Sequence, residues 1–154
     1  MAQNVNQFAQ TAEKGSLDLT INPTVFSVQV DAAQGTALVA GQLVKMATTA
    51  GGIMKVIASA AATDKHFGVV RYNIKDASFA AGAVCEVAGG GSVIVMEAGA
   101  AIARGANVMY AANQKVVTAA TTGNIIVGMA LDAATADGSL IRVLLQGINA
   151  PALP

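Results

Sequence analysis

His66 is the only imidazole in the chain and stands in the stretch TDKHFGVV, beside Asp64 and Lys65. A histidine in that company could act as the general base of a hydrolase, drawing a proton from a hydroxyl or a water. Such chemistry needs a nucleophile against the ring and an acid to orient it, and the sequence offers no Gly-x-Ser-x-Gly elbow. The residue in the corresponding place of the chain's second half is Ile126, which has no chemistry to share. His66 therefore reads as a strand-edge or interface side chain, and a small hydrolase centred on it is the least expected function.

The other reactive groups are equally scattered. Zinc needs three or four His, Cys or carboxylate ligands in one cluster, and neither His66 nor the single cysteine, Cys85, has a second ligand group beside it. Asp76, Asp132 and Asp137 fall in expected turns, where a short carboxylate ordinarily caps its own backbone, and the DAATADG segment has too few carboxylates for a calcium loop. Gly51-Gly52 and Gly89-Gly90-Gly91 are not followed by Lys-Ser or Lys-Thr, so they read as hairpin tips rather than phosphate loops. The six Phe and Tyr residues are dispersed and Trp is absent, which leaves no stacking platform for bases or sugars. No enzyme activity, cofactor, metal or small-molecule substrate is expected.

Composition narrows the partners. Nine basic side chains balance nine acidic ones without a basic cluster, so nothing attracts nucleic acid. The N-terminus lacks a basic segment followed by an apolar run, and no apolar stretch reaches the roughly 18 residues of a spanning helix. Neither a signal peptide nor membrane association is expected. With 54% hydrophobic but only 12% charged residues, the surface must be made largely of small and uncharged polar side chains. Such a surface can approach another protein without desolvating many ions.

The elements that carry these residues are strands. TVFSVQV (24–30) alternates Val25, Ser27 and Gln29 with Phe26, Val28 and Val30, the period of a strand with one apolar face. The remainder repeats itself. GTALVAGQLVKM (35–46) returns as GAAIARGANVMY (99–110), Lys55-Val56-Ile57 as Lys115-Val116-Val117, HFGVV (66–70) as IVGMA (126–130), and AAGAVCEV (80–87) as ADGSLIRV (136–143). The offsets are 64, 60, 60 and 56, one register with short loop deletions. Strands are expected at 42–46, 53–58, 66–72 and 83–87 and again at 106–110, 114–119, 125–131 and 139–145, with VIVM (93–96) completing a hairpin with 83–87. Gly35, Gly41, Gly68 and Gly82 recur as Gly99, Gly105, Gly128 and Gly138, and are expected at bends, bulges or turns where a Cβ is not tolerated. The Ala-rich runs 98–104 and 132–136 are too short for stable helices.

The expected fold is therefore all-β: one small barrel domain (23–147) with an internal pseudo-two-fold repeat, two equal halves offering a simple way to close it. A polar, flexible N-terminal arm (1–22) precedes it and a C-terminal tail (148–154) follows. In the arm, Gln3, Asn4, Asn6, Gln7 and Gln10 can satisfy backbone groups on a partner, while Val5 and Phe8 can anchor in apolar sites.

GTALVAGQLVKM, HFGVVRYNIKDASFAAGAVCEV, GAAIARGANVMY and IIVGMALDAATADGSLIRVLLQG, in that order, resemble the capsid cement, or head decoration, proteins of tailed bacteriophages. The likeness lies in Gly41 to Val44, Gly68-Val69-Val70, Ala81-Gly82-Ala83-Val84 with Val87, and Val143 to Gly147, and spans about residues 24–147. Met129, in Gly128-Met129-Ala130, stands where the family usually has valine. The resemblance implies a non-enzymatic β-barrel, made in the bacterial cytoplasm and placed on the outer surface of the virion capsid. There it would bridge major capsid protein subunits and stabilise the expanded head, associating with itself as a trimer or, second, a dimer. Another virion component, such as a tail-tube or fibre protein, is the alternative.

Overall fold

A computed structural model describes residues 13–18, 22–48, 51–147 and 152. The described chain forms twelve strands: β1 (Val25–Val30), β2 (Leu38–Val39), β3 (Leu43–Met46), β4 (Lys55–Ala58), β5 (His66–Val70), β6 (Ser78–Phe79), β7 (Val84–Ala88), β8 (Val93–Glu97), β9 (Asn107–Ala111), β10 (Lys115–Thr118), β11 (Ile126–Ala130) and β12 (Leu140–Leu145). The fold is all-β, and its repeat is visible strand by strand.

In the first half, β1-β4-β3-β5-β7 closes into a five-stranded barrel. The second half builds the equivalent sheet in the order β10-β9-β11-β12-β8. Val44 lies opposite Gly68 and Val108 opposite Gly128, and each pairing is followed by the same register shift. The parallel pair Val30↔Val56, which closes the first barrel, has its counterpart in the parallel bridge Ala98↔Val116. The offset for this first strand is 68, since β1 begins at Val25 and β8 at Val93. The first half is a closed barrel and the second a similar five-stranded sheet whose ends meet at the Ala98↔Val116 bridge, so the expected small β-barrel with an internal repeat is borne out, and the second sheet is called the second barrel below.

VIVM pairs differently from the sequence expectation. β8 runs antiparallel to β12, from Leu140↔Glu97 to Leu144↔Val93, while β7 pairs with β1 and β5. The Gly-rich connection between β7 and β8 is a crossing from one barrel to the next, not a hairpin tip. β8 is the second copy of β1, a match hidden because VFSVQV and VIVME share little beyond valine. A short 3-10 turn at Ala112–Gln114, with φ of 60° at both Asn113 and Gln114, occupies the start of the expected 114–119 strand and delays β10 to Lys115.

The core explains why the two barrels hold together. Val28, Val30, Val44, Val56, Phe67, Val70 and Val87 fill the first barrel, and Phe26 and Phe67 lie with ring centroids 5.1 Å apart. Leu43, Val69 and Ala88 belong instead to the second cluster, with Ile94, Val108, Val127, Ile141 and Val143. Strands β3, β5 and β7 therefore present apolar side chains to both cores. This is why HFGVV is buried along its whole length and shows no alternation. At roughly 1.5–3 kcal/mol per fully buried aliphatic side chain, Leu43 and Val69 together contribute on the order of 3–6 kcal/mol at the seam.

Two glycine pairs have steric reasons. Gly41 and Gly105 adopt φ of +79° and +83°, each donating its N–H to the strand end below, Val70 O and Ala130 O, at 2.8 Å. Gly68 and Gly128 have ordinary φ, but a Cβ there would overlap the carbonyl oxygens of Ala88 and Leu144. Gly82 and Gly138 share a positive φ. Gly35 and Gly99 do not: a Cβ on Gly35 would meet nothing, and one on Gly99 would press only on Val117 Cγ1.

Residues 13–18, inside the segment expected as an arm, are part of this body. Gly15 N–H donates to Val95 O at 2.7 Å, Val95 N–H to Ser16 O at 2.9 Å and Asp18 N–H to Val93 O at 2.9 Å, while Tyr72 N–H donates to Gly15 O at 2.8 Å. Leu17 bridges antiparallel to Ile94 and packs on the second core. The lead-in stitches the two barrels together along β8.

Candidate interaction surface

All eighteen charged side chains fall within the described residues, and most of them neutralise one another. Lys115 Nζ sits between Glu97 at 2.8 Å and Asp137 at 2.7 Å, and Lys14 approaches Glu97 from the lead-in at 3.4 Å. Arg142 holds Asp132 through Nη2 at 2.8 Å and Nε at 2.9 Å and reaches Asp18 at 3.5 Å. Arg71 pairs with Glu86 at 2.6 Å and Lys45 with Asp64 at 2.8 Å. Hydrogen bonding from Lys115 holds the Glu97 and Asp137 carboxyls below their ordinary range, and Arg142 does the same for Asp132. Burial works to raise the Asp64 carboxyl, but Lys45 and the Ala60 and Ala61 N–H groups bring it lower. Exposed pairs of this kind add little stability, commonly 0–1 kcal/mol, but they erase the local field.

Against this muted background stand exposed apolar side chains. Val84 on β7 is 65% exposed and Leu140 on β12, its counterpart 56 positions on, is 42% exposed. Val84 lies in one cross-strand row with Gln29 and Lys55, and Leu140 lies opposite Glu97. Ile53 and Met54 precede β4, and Ile74, 88% exposed, projects with Tyr72 from the 71–77 loop. A hollow of about 170 Å³ beside Val84 is lined by Ser27, Arg71, Asn73, Phe79, Cys85 and Glu86. The repeat thus offers an apolar contact at the same place on each barrel.

Cys85 faces the first core, where burial pushes its thiol up to about 11. The expected arm contacts Gln3, Asn4, Val5, Asn6, Gln7, Phe8 and Gln10 lie outside the described residues.

His66 occupies the seam. Its Nδ1 is 2.9 Å from Ser59 Oγ, and its ring is stacked on Tyr110 of β9 at 6.0 Å. A serine seven positions away, across the β4–β5 connection, is a hydroxyl within reach that sequence inspection did not single out. Yet Ser59 and His66 are only 1% and 7% exposed, and the adjoining cavity of about 10 Å³ has room for a single water and no substrate. Burial lowers the imidazole to about 4, so the neutral ring is the stable form. Beside it, Gln114 from the 3-10 turn accepts from Leu43 N–H at 3.1 Å and donates to Ser59 O at 2.8 Å, pinning the second barrel to the first. Among the described residues no three His, Cys, Asp or Glu side chains gather as a metal site would require.

The phage cement protein family model matches residues 28–145. The crystal structure of the head fiber gp8.5 N base in bacteriophage phi29 shares the fold, with a TM-score of 0.53 at 15% sequence identity over 80% of this chain and 94% of that one. No curated protein matches the sequence.

Proposed function

From the premise that the chain belongs to the phage cement protein family, and so is a structural component of the virion, we propose that it binds the outside of the assembled capsid, bridges neighbouring major capsid protein subunits and stabilises the expanded head. The observation that carries this reading is the equivalence of Val84 and Leu140: two exposed apolar side chains at matching positions of the two barrels, in a chain most of whose charges pair with one another. A rigid tandem of similar contact points suits a shell that itself repeats. Low charge keeps the desolvation cost of docking small.

Residues 1–12, which contain no charged side chain, act as an arm on the shell. Ordering about ten residues costs on the order of 10 kcal/mol in backbone entropy, which an extended contact through Val5 and Phe8 and the Asn and Gln amides offsets. Self-association, as a trimer first and a dimer second, accompanies docking at the symmetry positions of the capsid. Titrating undecorated expanded heads with the wild-type protein and with Val84→Lys, Leu140→Lys and the double variant tests the contact. The proposal expects the bound copies per head to fall in each variant and most in the double one, while thermal midpoints in solution stay unchanged. Full occupancy by the double variant contradicts the assignment of this face.

A further inference from the structure

The repeat exposes an asymmetry at the strand edges. In β8 the even-numbered residues bond to β12, as Ala98 N–H to Ser139 O and Leu145 N–H to Ser92 O show, so Val93 and Val95 turn their backbone groups to the other side. There they meet residues 15–18 of the lead-in, and β8 is buried from Val93 to Met96. In β1 the same alternation holds. Val30 N–H to Ala83 O and Gly89 N–H to Thr24 O run to β7, while Gln29 N–H to Met54 O and Asp31 N–H to Val56 O run to β4. β4 begins opposite Gln29, so Val25 and Ser27, the equivalents of Val93 and Val95, have no backbone partner among the described residues. Ser27 is exposed where Val95 is buried.

We infer that the Val25–Ser27 edge of β1 is a strand-addition site that takes an extended segment of the major capsid protein, antiparallel to β1, in the way β8 takes residues 15–18. The inference rests on the capsid-binding reading above. An unpaired strand edge is a template for another chain, with main-chain hydrogen bonds giving affinity and flanking side chains giving selectivity. The flanks differ between the two barrels in a way that constrains the charges of the occupant and argues against a second copy of this chain. Lys14 and Asp18 of the lead-in are matched by Glu97 and Arg142; their counterparts on the first barrel, 68 and 56 positions earlier, are Gln29 and Glu86. A second copy's KGSLD would bring Asp18 against the Glu86 carboxylate, and that segment is already engaged on its own β8. The complementary strand is neutral beside Gln29 and carries Lys or Arg beside Glu86. Glu86 would then serve two cations, Arg71 and the newcomer, as Glu97 serves Lys14 and Lys115.

Amide hydrogen exchange, measured on the free protein and on the protein bound to expanded heads, tests the inference. The Val95 amide should be protected in both states, and the Ser27 amide only when bound, slowing by about tenfold or more. Ser27→Pro removes only the outward donor and should weaken head binding about tenfold with the fold retained, the scale of one lost hydrogen bond. If that variant does not fold, the exchange result alone decides. A Ser27 amide that stays fast on bound heads overturns the inference while leaving capsid binding intact. Protection in the free protein also overturns it, assigning the edge to a second copy if it grows with concentration and to the chain's own arm if deleting residues 1–12 abolishes it. Failure of the wild-type chain to bind heads instead contradicts the functional reading beneath it.

Discussion

Gly68 on β5 lies directly against the backbone carbonyl of Ala88 on β7, leaving no room for a Cβ, and Gly128 meets Leu144 in the same way 60 positions later. Two strands approach this closely in both barrels because a glycine permits it. Gly68→Val and Gly128→Val should each lower stability by more than about 2 kcal/mol, read as thermal or denaturant midpoints. Gly35→Ala, with open space around it, should stay within about 0.5 kcal/mol of wild type. Equal midpoints for all three would remove the steric account of the repeat.

The seam histidine gives the fold an acid limit. The neutral His66 ring is favoured in the folded chain, with its pKa lowered from 6.5 to about 4, so between those values the unfolded chain binds the extra proton. Stability should be fully present above about pH 6.5 and fall as pH drops toward 4, with a slope of up to about 1.4 kcal/mol per pH unit. The lowered carboxyls of Asp64, Glu97, Asp132 and Asp137 add their own losses below their ordinary range. His66→Ile, which copies Ile126, should flatten the profile between pH 6.5 and 4; an unchanged slope would place the acid sensitivity elsewhere.

Gln114 predicts a cost at one side chain. Gln114→Ala strips partners from Leu43 N–H and Ser59 O at the seam, and should destabilise the protein by about 1–3 kcal/mol, the range for buried groups left unpaired. A denaturant midpoint equal to that of wild type would show that the clamp is dispensable.

Much of this architecture was legible because barrel strands and tight turns constrain residue types strongly. The offsets of 64, 60, 60 and 56 are those of the observed strand equivalences, and Val28 and Val30 face inward as their alternation predicts. What escaped was set by contacts distant in sequence. Nothing in VIVM distinguishes a partner at 84–88 from one at 140–145, since strand pairing is decided by which sheet buries the segment. The lead-in segment KGSLD is polar and short, yet Leu17 and the Gly15 backbone tie it to β8. The aliphatic counterpart of His66 points to a strand-edge or interface side chain, which does not foretell its burial at the seam, and the Ser59 hydroxyl beside it has no local signature.

Residues 13–18 belong to the body through β8, apart from the arm proposed at residues 1–12. Deleting residues 1–12 should leave the thermal midpoint unchanged, whereas deleting 1–18 removes the strand on β8 and should lower it by several degrees, the effect of a few kcal/mol in a domain of this size. Equal midpoints for the two truncations would mean that residues 13–18 add nothing to the body.

We propose that this protein stabilises an assembled shell. Its most direct test is the rupture temperature of matched expanded heads, measured bare, saturated with the full-length protein and saturated with the chain lacking residues 1–12. Stoichiometric binding and a raised rupture temperature are expected for the full-length chain, with a smaller gain for the truncated one. Heads that bind the full-length protein yet rupture at the same temperature as bare heads would contradict it.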